Sequence, residues 1–188
     1  VKLNHPETNV INDDIRNIDL NHLNNKLGDK KIDVIIGGPP CQGFSSLRPN
    51  RSTSKEDDRN DLFYAFVKFV KYFKPSLFVL ENVVGILTHN KGETLKKVIL
   101  AFEEIGYEMD WRVLNAANYG VPQKRERFIL IGTSEKKNIK FPQPSHFFEG
   151  KSIGYKDDSK MIKGTEDLYK AITVMDAVGD LPEIKSGN

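Results

Sequence analysis

Three aliphatic residues, Val34, Ile35 and Ile36, run without a polar break and are closed by Gly37, Gly38, Pro39 and Pro40. A short unbroken run of this kind suits a strand covered on both faces, as in the parallel sheets of α/β folds. The two prolines stiffen the exit and remove two backbone donors, so the strand cannot simply continue. Cys41 follows, the only cysteine in the chain. A unique thiol on a rigid loop at the carboxyl end of a buried strand is a candidate nucleophile. The competing reading is an inert core thiol, since free cysteine is among the most buried residue types. Polar Gln42, Ser45 and Ser46, with the permissive Gly43 among them, tilt the balance toward a thiol that is used.

A second apolar run, Ser76 to Glu81 (SLFVLE), is closed by Asn82. Between the two runs, Asn60 or Asp61 can cap a helix whose Leu62, Phe63, Phe66, Phe69, Val70 and Phe73 recur at steps of three and four, and Pro75 stops it. Thr94 to Ile105 repeats the pattern, with Gly106 as its C-terminal stop. Tyr107 to Leu114 alternates like a strand, and Phe128 to Gly132 (FILIG) reads as another. Upstream, Val10, Ile11 and Ile15 suggest a short strand ending near Asp14, and Leu20 to Leu27 a short helix before Gly28. The order of elements implies an α/β domain with a largely parallel sheet and right-handed crossovers, its last two strands pairing antiparallel. Residues 1–145 are expected to form this domain. Residues 146–188, with their charged 151–158 stretch and one short helix between Ile172 and Leu181, read as a linker.

The chain of 188 residues is long enough for one core. Its 38% apolar and 29% charged residues describe a soluble globular protein, and a net charge of +2 gives no bulk argument for nucleic acid. One cysteine excludes an internal disulfide framework and fits a reducing cytosol. No stretch has the length of a membrane span or the form of a signal peptide. No metal-ligand spacing stands out, so no metal is expected.

In open α/β sheets, ligands bind at the carboxyl ends of the strands. Cys41 follows one such end and Glu81 lies at another. Glu81 directly follows Leu77, Phe78, Val79 and Leu80, an expensive place for a charge unless it is used, paired or protonated; a plain rim carboxylate is the alternative. Gln123-Lys124-Arg125-Glu126-Arg127 precedes FILIG. An antiparallel strand begins where its parallel neighbours end, so Arg125 and Arg127 are expected in the same crevice. A solvated basic turn is the competing reading.

Taken together, GGPPCQGFS, the ENV of Glu81 to Val83 and the QKRER of Gln123 to Arg127 resemble, in order and spacing, the characteristic blocks of DNA (cytosine-5) methyltransferases. The resemblance runs from about Asp14 to about Arg127, and FPQPSH and DAVGDLP look like the family's approach to its target-recognition region. It implies a Rossmann-like methyltransferase sheet, mostly parallel with an antiparallel end and truncated at the N-terminus. It also implies S-adenosyl-L-methionine as cofactor and double-stranded DNA as substrate. Cys41 would add to C6 of a flipped cytosine, with the thiolate as reactive form. Glu81, raised by apolar surroundings, would serve N3, and Arg127 would hold O2. Arg125 would support the loop or a phosphate, and Asn82 would orient the Glu81 and Pro40 backbones. The resemblance places Asp14 and Ile15 near the adenine, Pro40 near the methionine part and Leu62 against the ring. Gln42, Ser45, Arg48, Arg51 and Gln123 become candidate DNA contacts, Arg48 and Arg51 lying on the long polar loop from Leu47 to Asp58.

The family's glycine-rich cofactor loop is expected upstream of Val1, and its target-recognition region downstream of Asn188. On that basis the chain alone is expected to bind cofactor weakly and turn over little. The parent would be a monomeric enzyme of the bacterial cytosol, associated with the nucleoid and belonging to a restriction–modification system. Two other classes compete. A catalytically silent DNA-binding or partner module could retain the fold. A cysteine hydrolase would need a histidine base, and His5, His22, His89 and His146 lack motif context.

Overall fold

The computed structural model describes residues 1–28, 30–39, 61–135, 137–150 and 158–182. In chain order these form α1 (Leu20–Leu27), β1 (Val34–Gly37), α2 (Asp61–Phe73), β2 (Leu77–Asn82), α3 (Glu93–Glu103), β3 (Glu108–Asn115) and β4 (Glu126–Thr133). Shorter pieces follow: β5 (His146–Phe147), β6 (Met161–Ile162), β7 (Tyr169–Lys170) and α4 (Val174–Val178). The main sheet has the order β1-β2-β4-β3-β6. β1 and β2 are parallel, β4 opposes both β2 and β3, and β6 is parallel to β3. The architecture is therefore α/β with a mostly parallel sheet. Its antiparallel strand lies inside the sheet, because β4 folds back on β3 and pairs along its other edge with β2.

The periodicity of two fixes which side chains make the core. Phe78 and Leu80 of β2, Phe128 and Leu130 of β4 and Val113 of β3 are fully buried on one face. The helices α2 and α3 close over them through aromatic contacts. Phe102 stacks on Phe78 with ring centroids 4.1 Å apart, and Phe66 meets Phe78 edge-on at 6.1 Å. Such pairs add to the burial of large apolar area. Two glycines make this packing possible. A Cβ at Gly37 would stand 2.4 Å from the Phe66 ring, and one at Gly132 would stand 2.1 Å from the Phe78 ring. Helix α2 ends where Lys74 turns left-handed (φ 46°), just before Pro75. Pro75 is buried, and its carbonyl accepts a 2.6 Å bond from the Tyr107 hydroxyl. Burial raises the pKa of that phenol.

The opposite face is more open. Val34 is 49% exposed and Ile36 is 74% exposed, so β1 lacks the two-sided cover expected from its sequence. Among the described residues, α2 and α3 cover only one side. A second correction lies upstream, where no strand forms at Val10 to Asp14. Instead the Asp14 carboxylate accepts from the Arg16 N–H at 2.9 Å and caps a 3-10 turn, Ile15–Asn17. An Asn- and Asp-rich run offers its backbone such local partners in competition with a ladder. Helix α1 is bounded as expected, with Gly28 left-handed at its end. Helix α3 stops at Glu103, two residues before Ile105, and the chain turns at Gly106 (φ 88°).

Candidate functional site

The carboxyl ends of β1 and β2 and the amino end of β4 share one rim. In the ladder, Leu80 faces Leu130, Glu81 faces Ile129 and Asn82 faces Phe128. Glu81 is thus within β2 and points to the open face, because alternation sends Phe78, Leu80 and Asn82 to the core side. The apolar enclosure expected around Glu81 is absent for that reason, and its side chain is 44% exposed. What it has instead is a partner. Arg127 Nε lies 2.7 Å from Glu81 Oε1, although the chains are joined through a long loop, a helix and a strand. The buried Nε–H does not point along a hydrogen-bond direction. The contact is an ion pair without an aligned bond, and the guanidinium is anchored by a 2.8 Å bond from a terminal nitrogen to the Glu126 carbonyl.

Gly38 brings the exit of β1 against the same carboxylate. A Cβ there would stand 3.1 Å from Glu81 Oε2. Asn82, almost fully buried, donates from Nδ2 to the Pro39 carbonyl at 3.3 Å and accepts from the Val83 N–H at 2.7 Å. It ties Pro39 and Val83 together. The expected Pro40 contact lies outside the described residues. So do the positions of Cys41, Gln42, Ser45, Arg48 and Arg51. The structure therefore brings Glu81, Arg127 and the start of the Cys41 loop to one rim and says nothing of the thiol itself.

Gln123, Lys124, Arg125, Glu126 and Arg127 line a recess of about 270 Å³ with Val84, which follows the Glu81 block. Arg125 and Gln123 are exposed there. None of His5, His22, His89 and His146 lines this recess. His89 instead meets the Thr94 hydroxyl at 2.7 Å, and His146 meets Ser145 at 2.9 Å.

A second cavity, about 330 Å³, opens beside β1 and is lined by Ile15, Ile35, Ile36, Gly37, Gly38, Pro39, Leu62, Phe66 and Phe69. Two expected cofactor residues, Ile15 and Leu62, thus share one apolar wall. Asp14 is engaged with Arg16, whose Nε approaches Oδ1 at 3.0 Å and whose terminal nitrogen approaches Oδ2 at 2.6 Å. The Arg16 side chain, followed by its backbone N–H, holds the Asp14 carboxyl down at a pKa of about 2. A mostly apolar lining that includes the Phe66 and Phe69 rings suits an apolar or aromatic group. Among the described residues there is no cluster of three potential metal ligands and no helix long and apolar enough to cross a membrane.

Sequence reasoning missed Asn115. It is 6% exposed and its Oδ1 accepts from the N–H groups of Ala117 (3.1 Å) and Arg125 (3.2 Å). An asparagine closing an alternating run before small residues is the only signal that pointed to it.

Residues 2–185 match the family model described as C-5 cytosine-specific DNA methylase. The chain is 39% identical over 186 residues to the Type II methyltransferase M1.HphI of Haemophilus parahaemolyticus, covering 99% of this chain and 44% of that protein. It is 40% identical over 189 residues to the Type II methyltransferase M.DdeI of Desulfomicrobium norvegicum, covering 98% and 40% respectively. A solved E. coli structure, described as a DNA modification methyltransferase encoded within a prophage, aligns with a TM-score of 0.69 at 28% identity, covering 97% of this chain and 45% of that one. The chain thus spans less than half the length of these curated relatives. By the extent of the model match, it belongs to the C-5 cytosine-specific DNA methylase family.

Proposed function

We propose that the protein carrying this chain methylates C5 of cytosine in double-stranded DNA, and that Cys41, Glu81 and Arg127 act on one flipped base. The observation that carries this reading is the Glu81–Arg127 contact of 2.7 Å, which joins an acid and a guanidinium at the rim where the Cys41 loop begins. C5 of cytosine is too weak a nucleophile to take a methyl group unaided. Addition of the Cys41 thiolate to C6 breaks the ring's aromaticity and makes C5 enamine-like. Glu81 shares a proton with N3 as charge develops there, and Arg127 presents its planar fork to O2. C5 then forms a bond to the methyl carbon, its hydrogen leaves as a proton to a base, and the thiolate departs from C6.

S-adenosyl-L-methionine, when bound, supplies the methyl group and leaves as the thioether. The cavity lined by Ile15, Leu62, Phe66 and Phe69 is proposed to hold its adenine, with Asp14 beside the ring and Pro40 near the methionine part. Since C6 is shielded in a duplex, the base must rotate out, costing a few kcal/mol of lost stacking. Gln42, Ser45, Arg48, Arg51 and Gln123 are proposed to touch the DNA, with Arg125 at a phosphate. Asn82 holds Pro39 and Val83 in register around Glu81. The Type II names of bacterial relatives favour an enzyme of a bacterial restriction–modification system, and a monomer in the cytosol is proposed with it. Residues 1–145 would serve catalysis and residues 146–188 lead toward target recognition.

The test incubates the full-length gene product with S-adenosyl-L-methionine and duplex DNA carrying 5-fluorocytosine throughout, so no recognition sequence need be known. The reading predicts a covalent adduct that maps to Cys41 and is lost in Cys41→Ala. No adduct, or one that survives the substitution, overturns it.

A further inference from the structure

Asn115 takes no part in the chemistry above, yet its contacts reach the centre of the basic run. It ends β3 opposite Glu126, while Leu114 lies opposite Arg127. Its buried Oδ1 uses both lone pairs. One accepts from Ala117 and caps the 3-10 turn Ala116–Tyr119, and the other accepts from Arg125. The Arg125 carbonyl in turn accepts from the Ala116 N–H at 2.9 Å. Both backbone polar groups of Arg125 are therefore clamped to the end of β3, one step beyond the last ladder pair.

We propose that Asn115 is a positioning residue for methyl transfer, setting where the Arg125 and Arg127 guanidiniums leave the sheet edge. The proposal rests on the reading of those arginines as contacts to the substrate. A carboxamide oxygen suits the task because it is planar, carries two acceptor sites and reaches one atom farther than a serine hydroxyl. Serine is itself a good cap for a helical turn. Asn115→Ser therefore keeps the bond to Ala117 and loses the one to Arg125. Asn115→Asp keeps two acceptor sites on one oxygen and retains both.

The test uses the full-length protein with 5-fluorocytosine and ordinary duplexes, and compares Asn115→Ser, Asn115→Asp and Asn115→Ala. In Asn115→Ser, single-turnover methyl transfer is expected to fall about ten- to hundred-fold, the scale of a displacement near 1 Å at reacting groups. Cofactor affinity should stay unchanged, and amide hydrogen exchange at Arg125 should quicken. Asn115→Asp should restore both rate and exchange protection. Should Asn115→Ala fail to fold, Asn115→Ser still decides. The proposal is overturned if Asn115→Ser reacts at the wild-type rate, if Asn115→Asp gives no rescue, or if rate and cofactor affinity fall together in every variant. A wild-type protein that forms no adduct and transfers no methyl group overturns the methyltransferase reading itself, and with it this role.

Discussion

The two faces of the sheet are made by the same strands and do opposite work. On one, Phe78, Leu80, Phe128 and Leu130 are removed from water beneath Phe63, Phe66 and Phe102. On the other, Ile36 stands in solvent and the row continues through Leu77 and Val79 to Glu81, which meets Arg127 at the rim. Alternate residues of β2 thus divide between the core and the proposed site. The lesson is one of economy: a rigid core side holds the acid and the guanidinium still, because their backbones are the core's own strands.

That division is broken most severely by deleting a core ring. Phe78→Ala should destabilise by about 3–5 kcal/mol in urea unfolding, whereas Ile36→Ala on the open face should change stability by under about 0.5 kcal/mol. Equal losses would mean that the faces do not differ as described. Next comes overpacking. Gly132→Ala places a methyl 2.1 Å from the Phe78 ring, and should cost about 1–3 kcal/mol by the same measurement. Gly38→Ala sharpens the contrast, since its Cβ would press on Glu81 Oε2 at 3.1 Å, away from the core. Melting should move little, while the methyl-transfer rate drops about tenfold as the carboxylate shifts.

The smallest effect is at Asp14. Its carboxyl in the folded chain titrates at about 2, against an ordinary value of 3.8. A depressed acid stabilises the fold above its unfolded pKa, and that contribution is lost as pH falls through its folded one. The change therefore belongs between pH 4 and pH 2, and it is slight because the carboxylate is exposed. A carbon-detected NMR titration should show the low midpoint, and Arg16→Ala should return it toward the ordinary range.

The strands and long helices were legible because each has its own period: unbroken apolar runs for β1 and β2, and steps of three and four for α2 and α3. Glu81 and Arg127 were legible as members of one rim because parallel strands end where an antiparallel one begins. The open surroundings of Glu81 are not legible in the sequence, since a run such as Leu77 to Leu80 does not reveal which face each side chain takes until its neighbours are placed. Asn115 escaped notice because its role lies in a bond to a backbone ten residues away, and no periodicity marks such a bond. The pairing of β6 with β3 involves only Met161 and Ile162, too few residues to show a pattern.

In the proposed reaction Glu81 and Arg127 act as one unit on one base. A double-mutant cycle with Glu81→Gln, Arg127→Ala and the pair, read as single-turnover methyl transfer to duplex DNA, tests this most directly. The account predicts that the double variant is hardly slower than the worse single one, as expected when either loss disables a shared site. Rate losses that simply multiply would show two independent residues and contradict it.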